Sequence, residues 1–196
     1  MFIGKVILHH LEVIMREGDD SLFFNLIKRD WAFPAFVFSL IGLFGSVFID
    51  IPYPLILAFG LILFTAFDVF GYGSVEQSTD RENLVRYRII QTGFQWTLFL
   101  LLGIITHWNT WVTIGYIYLW WMGVCDMMFY VLLGKLHEML HYGNMYWLWW
   151  TPIGIWNKLN GRETGGKEVL YITLYSAILW YSVWVLFPNI QKLRLF

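Results

Sequence analysis

The feature that most constrains this chain is the recurrence of apolar runs at 31–49, 53–72, 88–106, 111–134 and 168–188. Each is close to the roughly 20 residues a helix needs to cross a hydrocarbon layer about 30 Å thick. Such a layer offers no water to the backbone, so each spanning segment must satisfy its own amides as a helix. Composition agrees: 58% of residues are hydrophobic and 14% charged, against about 45–50% apolar and about 25% charged in soluble domains. The alternating segments of about ten residues that mark a membrane β-barrel are missing. The expected fold is therefore all-α, a polytopic helical membrane protein with five transmembrane helices. It forms a single membrane domain over 1–196: an N-terminal interfacial segment at 1–30, a bundle at 31–188 and a tail at 189–196. The lipid bilayer is its first partner.

Two stretches are apolar without being long enough to span. In residues 2–16, Ile3, Ile7, Leu11, Ile14 and Met15 recur at helical spacing, which predicts an amphipathic helix lying in the interface. Lys5, His9, His10 and Glu12 interrupt this stretch, so it does not read as a cleavable signal. Residues 145–156 are broken by Pro152 and Gly154 and are expected to be re-entrant or interfacial. Basic residues favour the cytoplasmic side. Placing the N-terminus there, with Lys5, Arg16, Lys28 and Arg29, also puts Arg81, Arg86, Arg88, Lys158, Arg162 and Lys167 inside. Only Lys192 and Arg194 of the tail then fall outside.

Residues 135–144 read K-L-H-E-M-L-H-Y-G-N. His137 and His141 stand one helical turn apart, so both imidazoles share a helix face and can reach one ion. Glu138 lies about 100° round the helix from His137, where it can serve as general base to a metal-bound water. The expected metal is zinc or another divalent transition metal. Catalytic zinc takes three protein ligands and keeps a position open. The third is expected from Asp68 or Glu76, or from Asp80 or Glu82, with His9 and His10 as outside candidates. The five residues His137 to His141 resemble the H-E-x-x-H motif of zinc metallopeptidases. The resemblance implies hydrolysis of a membrane peptide or a lipid. The second, Gly-rich or Asp-Gly motif of intramembrane metalloproteases is absent from the sequence, and no family is assigned.

Asp126, in G-V-C-D-M-M, is the deepest acid. A carboxylate at that depth is costly and needs a polar role or partner, with a Tyr, Gln95 or another subunit as candidates. On one continuous helix it would share a stripe with His137 but lie about 16 Å deeper. Trp147, Trp149 and Trp150 are a candidate aromatic cage for a flat or cationic ligand, although tryptophan also collects at membrane interfaces. The first functional reading is an integral membrane metal-binding protein, a zinc-dependent hydrolase working through H-E-M-L-H. The alternatives are a small subunit of a larger membrane complex, and a small-molecule transporter or binding protein using the aromatic cluster and Asp126. A formal net charge of −1 gives no basis for a nucleic-acid partner. The lone Cys125 cannot form an intrachain disulfide and is expected to be packing.

Overall fold

The computed structural model describes residues 31–76, 81–141, 143–145, 148–187, 189, 192 and 195, with the backbone alone for 72–76 and 81–84. The described part is built of helices: α1 (Ala32–Gly45), α2 (Tyr53–Glu76), α3 (Arg81–Ile105), α4 (Thr110–Trp121), α5 (Val124–Leu132), α6 (Leu136–His141), α7 (Pro152–Leu159) and α8 (Gly166–Leu186). Three stretches are long and apolar enough to cross a membrane: Tyr53–Gly71 of α2, Val85–Ile105 of α3, and α8. The bent pair α4 and α5 makes up to four. The expected amphipathic helix at 2–16 lies outside the described residues.

Two of the five expected spans come out differently. The first is a 14-residue helix, about 21 Å at 1.5 Å per residue, and too short to cross unaided. Its apolar run continues to Ile49, but the backbone tightens into turns after Gly45, where the amides of Phe48 and Ile49 both reach the Gly45 carbonyl. The run 111–134 is likewise not one helix. It breaks between Trp121 and Val124 with a bend of 71°. Gly123 sits at φ +81°, a left-handed conformation that glycine reaches without steric cost. Apolar content specifies burial, and a glycine inside the run decides whether the helix continues.

A second break follows at Gly134, φ +67°. The H-E-M-L-H segment thus rides on α6, a six-residue helix of its own, and not on the end of the fourth span. The stripe relating Asp126 to His137 requires an unbroken helix and does not form. In the stretch 145–156 the described α-helix starts at Pro152 and belongs to the eight-residue α7, which is too short to be a candidate span. Thr151 caps that helix through its hydroxyl, which accepts from the Gly154 amide at 3.2 Å.

The core lies where α2, α3 and α4 meet, around Leu57, Leu98, Leu102, Trp111, Tyr116 and Leu119, with Val124 and Cys125 of α5. α8 joins it through rings. Trp111 is stacked on Trp180 at 5.8 Å between centroids, and its indole N–H donates to the Trp180 carbonyl at 3.1 Å. Tyr181 closes the same cluster, edge-on to Trp111 at 5.5 Å. Several tryptophans are therefore core residues rather than an interfacial belt. The hydroxyls of Thr65, Thr106 and Thr173 donate to the carbonyl four residues back, a bond that hides their polarity from an apolar medium.

Candidate functional site

The polar centre of the described bundle forms around Asp68 on α2. The bare backbone of Gly71 lets the Tyr87 ring of α3 lie against it; a Cβ there would meet the ring at 2.2 Å. That seat directs the Tyr87 hydroxyl onto the Asp68 carboxylate, to which it donates a hydrogen bond. One turn further along α3, the Gln91 amide donates to the same carboxylate oxygen. The Gln91 carbonyl oxygen in turn accepts from Arg88 at 2.8 Å. A tyrosine and a glutamine at i and i+4 thus clasp one acid, and an arginine holds the glutamine's other end.

Asp126 completes this centre from α5, which packs on α2. It is the third residue of α5, just past the helix break at Gly123, and its own backbone N–H is a hydrogen-bond partner of its carboxylate. Asp126 lies within electrostatic reach of both Asp68 and Arg88. Beneath it, the buried Cys125 thiol meets the Thr65 hydroxyl. Three helices therefore bring two carboxylates and a guanidinium into one neighbourhood. Both acids are legible in the sequence as candidates, whereas Tyr87, Arg88 and Gln91 are not. The available signal was polar residues recurring on one face of α3 just inside an apolar span.

The histidine pair is also on one face, as its spacing required. The rings of His137 and His141 are 4.3 Å apart between centroids, and both residues are exposed. Met139 between them is fully buried, packed with Met145, Leu148 and Val169, so the buried methionine sets which way the imidazoles point. The seat of α6 depends on a close approach by α8: a Cβ on Gly166 would stand 1.8 Å from the Met139 carbonyl oxygen. His141 Nδ1 bonds the His137 carbonyl at 2.7 Å. A carbonyl only accepts, so Nδ1 is the donor, and in the neutral ring Nε2 is then the nitrogen with the lone pair. Glu138 points elsewhere and pairs with Lys135 at 3.8 Å, both side chains being more than half exposed.

Among the described residues, no three His, Cys, Asp or Glu side chains gather as a metal centre. Asp68 belongs to the Tyr87–Gln91 clasp instead. The side chains of Glu76 and Glu82, together with Asp80, His9 and His10, lie outside the described residues. The candidate cage residues have ring partners of their own. Trp150 is stacked on Trp120 at 4.7 Å, Trp149 carries the Lys158 ammonium 5.5 Å above its ring, and Trp147 lies outside the described residues. No family model matches this chain, and neither a curated protein nor a solved structure does.

Proposed function

We propose that this chain is an integral membrane protein that binds or carries a small cation or a protonated solute at the Asp68–Asp126 pair. The observation that carries this reading is the convergence of α2, α3 and α5 on two carboxylates that both lie within electrostatic reach of Arg88. Two negative charges beside one positive charge leave room for one more positive charge, a proton or a cation. Ionisable groups are retained within membrane spans where they serve ion or proton pathways. The two acids differ in role. Asp68 is pinned by Tyr87 and Gln91 and fixes the geometry. Asp126, on a helix that starts at a glycine break, is the group that exchanges its partner; discontinuous helices often build ion sites in this way.

The test is flux in proteoliposomes, followed with a luminal pH dye and with sodium- and potassium-sensitive dyes. Wild type is expected to conduct at least one of these ions, Asp126→Asn to abolish the flux, and Asp68→Asn to reduce it. A flux that survives Asp126→Asn, or wild-type vesicles no leakier than empty ones, would sink the proposal.

A second reading, zinc-dependent hydrolysis, is supported by the bond from His141 Nδ1, because metal-bound histidines are commonly oriented by such a carbonyl partner. Its third ligand would be Glu76, Asp80, Glu82, His9 or His10, with Glu138 as base. Metal-dependent cleavage of a lipid or peptide that is lost in Glu138→Gln, with the metal retained, is its test. The positive-inside pattern places the Arg81 and Arg162 loops and the N-terminus on the cytoplasmic side. Asn160→Cys should then be labelled from the cytoplasmic face only, because the native Cys125 is buried.

A further inference from the structure

We infer that His137 and His141 are half of a divalent-metal site, completed by the same pair on a second copy of this chain. The pair has the geometry of a two-ligand clamp: exposed rings on one helix face, centroids 4.3 Å apart. The Nδ1 bond of His141 to the His137 carbonyl fixes its ring and leaves Nε2 facing outward as a donor. Met139 is anchored beneath by Met145 and Val169, so α6 presents the imidazoles on a seated helix rather than on a loose loop.

Zinc in a closed site takes four ligands in a tetrahedron, and two clamps supply four nitrogens. Membrane symmetry makes the second clamp accessible. Copies inserted with the same orientation hold a given residue at the same depth. A two-fold axis along the membrane normal then brings each α6 against its equivalent, as isologous contacts require. Glu138, turned away and paired with Lys135, is not a ligand in this arrangement. The inference is separate from the carboxylate centre and differs from the hydrolase reading in its stoichiometry: one ion per two chains, without an open position.

The experiment uses full-length protein with its affinity tag removed, since a histidine tag would itself bind zinc. The protein is purified in detergent and stripped with EDTA, and zinc is added alone. Metal content and mass by light scattering are read together. Expected are half an equivalent of zinc per chain, conversion from monomer to dimer on adding zinc, and reversal by EDTA. His137→Ala and His141→Ala should each lose both the zinc and the conversion. Glu138→Gln should keep both. The histidines are exposed, so unchanged melting of the metal-free variants is expected and confirms that they fold. One zinc per chain in a monomer overturns the inference in favour of a ligand from the same chain. No retained zinc, or a dimer indifferent to zinc, overturns it outright.

Discussion

The Asp68 clasp and the H-E-M-L-H helix both place polar side chains at helical spacing, yet they are held in opposite ways. In the clasp, Tyr87 and Gln91 point inward, and the acid they bind sits on a different helix. On α6 the apolar Met139 points inward, and the polar residues are left at the surface. A polar group that reaches across helices helps define how the helices pack. One that stands outward from a seated helix reports the packing without contributing to it. Substitutions in the two regions should therefore differ in what they damage.

The largest effect is expected where the outward region is seated. Gly166→Ala puts a methyl group against the backbone oxygen of Met139, which cannot rotate away as a side chain would. A loss of about 3 kcal/mol is expected, with early proteolysis at Lys135 and Lys158 while the α2–α3 pair stays protected. Uniform loss of protection would erase the distinction. Asp68→Ala comes next. It removes the carboxylate that accepts from the Gln91 amide and leaves the Tyr87 hydroxyl its bond to the Asp68 backbone carbonyl at 3.2 Å, and a cost of about 2 kcal/mol in detergent unfolding is expected. A negligible cost would mean that the clasp does not tie α2 to α3.

Gly123→Ala probes the break between α4 and α5. The nearest atom to a new Cβ is a Thr173 methyl carbon at 3.4 Å, so space is adequate and the cost is conformational, about 1–2 kcal/mol for a left-handed alanine. Tyr87→Phe removes one of the two donors to Asp68 and keeps the ring over Gly71; about 1 kcal/mol is expected. The smallest effect is the double replacement of His137 and His141 by alanine. Metal-free stability should move by less than about 0.5 kcal/mol. A larger loss would make the histidines part of the packing and collapse the contrast.

Much of the helical layout was legible because hydrophobic length is a direct consequence of bilayer thickness. The runs at 53–72, 88–106 and 168–188 overlap the three long apolar stretches. The breaks were harder to foresee. Gly123 and Gly134 stand in apolar surroundings, and a glycine there is compatible with a continuous helix until neighbours decide otherwise. The facing of His137 with His141 followed from the 3.6-residue repeat alone, because it needs only local geometry. The Asp68 clasp joins residues 19 and 23 positions apart. Its partners could not be chosen before the relative rotation of two helices was known.

At the start of α1, the Trp31 amide donates to the Leu132 carbonyl at 3.1 Å, linking the first helix to the last turn of α5. The link is written in the main chain, so it carries no record in the side-chain alphabet. Position 31, whose indole is largely exposed, should accept almost any residue, and a substitution scan would score it as unimportant. Proline is the exception. Its ring matches the observed φ of −62°, but it removes the donor and sets Cδ against the Leu132 carbonyl in place of the amide hydrogen. Trp31→Pro against Trp31→Ala would therefore reveal a constraint that variation in residue identity conceals.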